Sequence, residues 1–167
     1  MTTSTIATTV TQDQAVRLSD DGTAITIIDQ TLLPNQLVHL DLTERQQMFD
    51  AIKLLKVRGA PAIGVCAGYC YYVLARKAAQ DATDFDSFVS TMSVERDFLN
   101  SSRPTAVNLS WALDRMHAVV TRSASLKPED VVPLLHDECI AIHREDLEMS
   151  EEISRLGASL LHDGDGV

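Results

Sequence analysis

Two short stretches of the sequence set an arginine directly before a proline that can open a helix. In Arg58-Gly59-Ala60-Pro61 a cation, a glycine and a small residue precede an apolar run. In Ser101-Ser102-Arg103-Pro104-Thr105 the arrangement recurs. The first N–H groups of a helix have no partner inside the helix and lie at the positive end of its dipole, which suits phosphate. Glycine lets the backbone turn tightly and a ligand come close. Arginine adds a planar fork of donors. Ser102 is a candidate N-cap, and Thr105 and Asn108 add polar groups within the first turn. Taken singly, each stretch is also an ordinary turn between helices. If both helices start at the same end of a bundle, two arginines, Arg58 and Arg103, and two helix dipoles converge on one anion.

Other residues with chemical potential point less sharply. Asp29-Gln30-Thr31-Leu32-Leu33-Pro34 reads as a polar turn leaving a strand, with a place beside an anion site as the alternative. His136, Cys139 and His143 fall at i, i+3 and i+7, a face that carries metal-ligand chemistry. A single helix rarely supplies three ligands without a partner, so the preferred reading is a core cysteine flanked by histidines, with no metal. Cys66 and Cys70, four apart in an apolar run, read as small packing residues, because no histidine or carboxylate lies near them in sequence to activate a thiolate. There is no glycine-rich nucleotide fingerprint and no Ser–His–Asp signature, so no cofactor and no catalytic residue is assigned from pattern.

The elements that must position these residues follow from periodicity and punctuation. Asp21-Gly22 separates two β-prone runs and predicts a hairpin, with strands near 15–18 and 24–29. A further strand near 37–41 can join it. Thr43 and Gln46 form a capping-box pattern, opening a helix that should run to Val57 with Met48, Phe49, Ile52 and Leu55 on one face. Pro61 opens a helix that is apolar on nearly all sides and ends near Arg76-Lys77. Its small residues (Ala62, Gly64, Ala67 and Gly68) predict a central buried helix that neighbours approach closely. Helices are also expected over 85–99, from Pro104 onward with Trp111 in the core, and as one long element over 127–161 with Gly157 as a weak point near its end. In that last helix Val132, Leu135, Cys139, Ile142, Leu147, Ile153 and Leu156 keep the apolar period, and Pro133 is placed in the first turn. The acidic run from His143 to Glu152 reads as a solvated helix face.

The fold class is therefore mainly α, a helical bundle with a small N-terminal antiparallel sheet. The expected organisation is a disordered or frayed tail over 1–13, the helical domain with its β-hairpin over 14–162, and the start of a truncated second domain at 163–167. The 167 residues suit one domain with an aliphatic core, since 45% are hydrophobic and only 5% aromatic. A net charge of −10 leaves no general cationic surface for nucleic acid. Three cysteines are too few, and odd in number, for a disulfide framework. With no signal peptide and no apolar run of about 18 residues, the expectation is a cytoplasmic protein that avoids membranes.

The blocks Asp29–Pro34 (DQTLLP), Val57–Val65 (VRGAPAIGV), Ser101–Met116 (the SRPTAVNL stretch and its continuation) and Asp163–Asp165 (DGD) resemble, in order and spacing, the N-terminal portion of the methylthioribose-1-phosphate isomerase family. That family shares its fold with the α, β and δ subunits of the translation initiation factor eIF2B. The resemblance implies aldose–ketose isomerisation of a sugar 1-phosphate in methionine salvage, without metal or nucleotide. It implies phosphate contacts from Arg58, Gly59, Ala60 and Arg103. It also places the family's reacting cysteine and aspartate in a second, Rossmann-like domain. The cysteine belongs to a THCNAG-like motif shortly after DGD, and none of Cys66, Cys70 and Cys139 matches it by context. The expectation is a substrate-gripping domain, truncated before the reacting groups and inactive alone. It would be homo-oligomeric or paired with its missing C-terminal half. A non-catalytic regulatory or assembly module, in the manner of an initiation-factor subunit, is the competing reading.

Overall fold

Three short strands lead into five helices in a computed structural model that describes residues 14–166. The elements are β1 (Val16–Leu18), β2 (Ile25–Ile28), β3 (His39–Leu42), α1 (Arg45–Lys53), α2 (Ala60–Asp81), α3 (Phe85–Asn100), α4 (Val107–Arg122) and α5 (Pro128–Ala158). The expected tail over 1–13 lies outside the described residues. The fold is mainly helical with a small antiparallel sheet, as the periodicity implies.

The sheet has the order β1-β2-β3, antiparallel throughout, with Val16 opposite Ile27 and Ile25 opposite Leu42. Central β2 is buried along its whole length, so its β-branched run faces protein on both sides. The hairpin turn is held by Asp21, whose carboxylate accepts from the Ser19 hydroxyl and from the Thr23 amide and hydroxyl. Gly22 takes φ +66° there, against Tyr72. Arg76 of α2 donates to the Asp21 carbonyl at 2.8 Å, tying the sheet to the helices.

Helix α2 is the central element. It is buried without interruption from Ile63 to Ala75, and α4 and α5 flank it along its length. The small residues explain the close approach. A Cβ added to Gly64 would stand 3.1 Å from the Asn108 carbonyl oxygen of α4, and one added to Gly68 would meet Ile142 and Cys139 of α5.

Several expected boundaries shift, each for a physical reason. Helix α1 is capped one residue later than the Thr43/Gln46 pattern suggests: Gln47 accepts from the Glu44 and Thr43 amides at 3.1 Å, while the Thr43 carbonyl accepts from Lys77. The helix stops at Lys53 rather than Val57, because Leu55 turns to φ +60° and sends Val57 back into the core. Helix α4 starts at Val107, not Pro104, and Ser102 is not its cap. The Ser102 hydroxyl donates to the Leu99 carbonyl at 2.6 Å and closes α3 instead. Pro133 lies beyond the first turn of α5. Leu147, Ile153 and Leu156 keep their period but are exposed, because α5 runs on past the helices that cover its first half. Trp111, expected in the core, is 49% exposed on the outer face of α4. Among the described residues no helix is long and apolar enough to cross a membrane.

Candidate functional site

The turn from α1 into α2 is set by a buried carboxylate. Asp29, at the end of β2, accepts from the Thr31 hydroxyl at 2.6 Å and the Thr31 amide at 3.1 Å, and pairs with Lys56 at 3.4 Å. The Thr31 hydroxyl, then the Thr31 amide and the Lys56 ammonium, hold the Asp29 carboxyl below its usual range. The Lys56 carbonyl accepts from the Gln30 amide at 3.0 Å. The stretch after β2 is thereby fastened to the residues immediately before Arg58. Asp29 supports the loop and does not line the cleft between the α2 and α4 starts. The sequence offers no local sign of this pair, whose members are far apart in the chain.

Beyond Lys56, Gly59 serves as the N-cap of α2 at φ +93°, a region open to glycine and strained for other residues. On the other side, Arg103 to Ala106 form a turn closed by the Ala106 amide on the Arg103 carbonyl at 2.9 Å. The two helix starts meet where Gly64 touches Asn108. Between them lies an open cleft of 460 Å³, lined on the α2 side by Gly59, Ala60 and Ile63 and on the α4 side by Arg103, Thr105 and Asn108. Gly59, Ala60 and Arg103 are thus brought together. Arg58 is exposed and does not line the cleft.

The electrostatics of this cleft differ from those of the other helix ends. Helix α1 begins with a capping box from Glu44 and Gln47, and α3 with one from Asp84 and Ser87. Helix α5 carries Glu129 and Asp130 in its first turn, which complement the dipole. Helices α2 and α4 have neither a side-chain cap nor an acidic residue in their first turns. Among the described residues, the amides of Ala60 and Ala62 in α2 and of Val107 and Asn108 in α4 find no acceptor, and Arg58 and Arg103 form no ion pair. Unpaired N–H groups, two dipole ends and a guanidinium all favour an anion at this place.

The remaining candidates go elsewhere. His143 shares a hydrogen bond of 2.7 Å with the Tyr69 hydroxyl, and His136 packs edge-on against Tyr72. The Cys139 thiol donates to the His136 carbonyl at 3.0 Å. These three residues are spread along the α2–α5 seam, each satisfied by a neighbour, and do not converge. Burial raises the Cys139 thiol to about 12 and raises that of Cys70 as well. Cys66 and Cys70 are buried side by side at 3.8 Å. No cysteine lines the cleft.

Comparison with known proteins agrees with this architecture. Residues 56–167 match the initiation factor 2 subunit family. A 5-deoxyribose 1-phosphate isomerase of Bacillus cereus is 38% identical over 156 residues, covering 93% of this chain and 44% of that protein. A methylthioribose-1-phosphate isomerase of Symbiobacterium thermophilum is 40% identical over 156 residues, covering 93% and 43%. Among solved structures, the 5-methylthioribose 1-phosphate isomerase of Pyrococcus horikoshii superposes with a TM-score of 0.84 at 30% identity, covering 90% of this chain and 41% of that one. The delta subunit of translation initiation factor eIF-2B from A. fulgidus superposes with a TM-score of 0.80 at 33% identity, covering 91% and 43%. The chain therefore spans less than half the length of the relatives it matches. With a family match over residues 56–167 and the same fold in both kinds of relative, the chain belongs to the initiation factor 2 subunit family.

Proposed function

We propose that residues 14–162 are the phosphate-gripping N-terminal domain of an isomerase that converts a ribose 1-phosphate modified at its 5-position to the corresponding ketose, the 5-methylthio sugar of methionine salvage being the intended substrate. The observation that carries this reading is the opening of two uncapped helix starts and Arg103 onto one cleft. In this reading the Arg103 guanidinium donates to two phosphate oxygens. The amides of Ala60 and of the α4 start donate to the others, and Gly59 keeps the backbone bare so that the anion comes close. Arg58, exposed one residue before the cap, adds its charge at the rim. Relatives named for 5-deoxyribose 1-phosphate and methylthioribose-1-phosphate isomerisation support the substrate class.

The same reading gives this domain binding and not turnover. A thiolate is needed to act as a nucleophile or base, and all three thiols are buried. The reacting groups then come from outside these residues, and the domain alone converts no substrate. A second reading, a non-catalytic module of an initiation-factor assembly, is favoured by the superposition on the eIF-2B delta subunit. Binding separates the two. Arg103→Ala is expected to weaken 5-methylthioribose 1-phosphate binding by roughly 10- to 100-fold, the value of a charged hydrogen bond. Calorimetric titration of the chain and of the variant checks this. Equal affinity in both would remove the anion assignment and leave the assembly module standing.

A further inference from the structure

Two residues just before α2 have positive φ, and the two differ in what that costs. Gly59, at +93°, has no Cβ to clash. Leu55, at +60°, has one, and its side chain is 41% exposed, so packing does little to hold it there. A left-handed leucine persists only where its surroundings fix it. Three contacts do so here. The Val57 amide donates to the Ala51 carbonyl at 3.2 Å, with the Val57 side chain fully buried. The Gln30 amide donates to the Lys56 carbonyl at 3.0 Å. The Lys56 ammonium reaches the Asp29 carboxylate at 3.4 Å.

Asp29 is the fixed member of that pair. Its side chain is buried where that of Lys56 is partly exposed. Its amide donates to the Val38 carbonyl at 2.9 Å, and its second carboxylate oxygen accepts both Thr31 donors. The end of β2 thus latches the turn through one charged contact. Only Val57 and Arg58 separate Lys56 from Gly59, so a turn that relaxes at Leu55 shifts the α2 start.

We propose that Asp29 is a positioning residue for the anion cleft: through Lys56 it holds the strained turn at Leu55 and so sets where Gly59 and the Ala60 amide stand. This rests on the phosphate reading of that cleft. The sign of one measurement separates positioning from charge. By Coulomb's law alone, neutralising an anion near the cleft strengthens phosphate binding. Losing a positioning contact weakens it.

The experiment titrates inorganic phosphate by calorimetry into the chain, Asp29→Asn, Leu55→Asn and the double variant, with urea unfolding of each to separate affinity from loss of fold. Asparagine tolerates left-handed backbone, so at position 55 it needs no latch. Asp29→Asn should bind phosphate roughly tenfold more weakly, the scale of one misplaced hydrogen bond to a charged group. Leu55→Asn alone should bind as the unaltered chain does, and the double variant should recover most of the loss. If Asp29→Asn does not fold, Lys56→Gln breaks the same contact from its more exposed side. The lost cation there weakens phosphate binding in any case, so the deciding result is recovery when Leu55→Asn is added. Unchanged or tighter binding by Asp29→Asn, or a loss that Leu55→Asn does not relieve, overturns the proposal while sparing the phosphate cleft. Absence of phosphate binding by the unaltered chain removes the cleft reading and this one together.

Discussion

Gly64→Ala tests whether the approach of α2 to α4 sets the cleft. The added methyl would lie 3.1 Å from the Asn108 carbonyl oxygen, 3.5 Å from its Cβ and 3.6 Å from its carbonyl carbon. The first of these is tighter than ordinary contact, and the atom it meets is backbone, so α4 must retreat by a few tenths of an ångström. Overpacking of this kind costs about 1–3 kcal/mol. The substitution also removes a helix-interior glycine, which by itself stabilises by about 0.5–1 kcal/mol. Gly157→Ala supplies the reference, since nothing lies within 4 Å of that position and it shares the helical and unfolded-state gains. Urea unfolding of both variants therefore isolates the clash as their difference. Gly157→Ala should be neutral to slightly stabilising, and Gly64→Ala less stable than it by about 1–3 kcal/mol, or about 2–4 °C in Tm for each kcal/mol. Phosphate affinity should fall in Gly64→Ala alone, because Asn108 lines the cleft. If the two variants gain equal stability and bind phosphate alike, the helices do not touch at Gly64 and the cleft is not set by that contact.

Two further predictions use other parts of the fold. His117 and His143 are held below the usual imidazole range, in both cases chiefly by burial; Arg96 adds to the effect at His117, Asp114 and Asp97 oppose it there, and Asp146 opposes it at His143. A histidine with a depressed folded value binds more protons when unfolded. Its contribution is therefore full above about pH 6.5 and is lost as pH falls below that toward the folded value. The urea midpoint should drop between pH 7 and 5, above the range where Asp29 and Glu145 titrate, and the drop should shrink in His143→Gln. An unchanged midpoint over that window refutes the burial. Ala106→Asp places a side-chain cap on α4, which begins without one. It should stabilise the fold by about 1 kcal/mol in urea unfolding and weaken phosphate binding at least tenfold. A cap that stabilises without loss of binding would take the α4 start out of the anion site.

Much of the scaffold was legible because its causes are local. Asp21-Gly22 names a hairpin, and the near-uniform apolar run after Pro61, dotted with Gly64 and Gly68, names a helix buried on all sides. The misplacements share a different cause: one residue with two physically reasonable uses. Ser102 can cap the helix after it or close the helix before it, and only the finished fold decides that its hydroxyl goes to Leu99. Thr43 and Glu44 are both competent caps, and Lys77, far along the chain, takes the Thr43 carbonyl. Trp111 sits at a core-compatible period on α4, but periodicity says only that a face is apolar, not that protein covers it. The Asp29–Lys56 pair was invisible for the same reason, since its meaning comes from a contact across β3 and α1.

The candidate site was legible to the extent that it breaks local rules. A helix start normally gains about 1 kcal/mol from a capping side chain or a fraction of that from an acidic first turn. Three of the five described helices take one of these. Helices α2 and α4 take neither, and it is these two whose starts line the 460 Å³ cleft with Arg103. Forgone stabilisation at one place, twice, is what a site for an external anion requires, because an internal carboxylate would occupy the same amides permanently. Arginine next to glycine at a helix start is therefore weak evidence when read once along the chain. It becomes an argument when the fold places the second uncapped start beside the first.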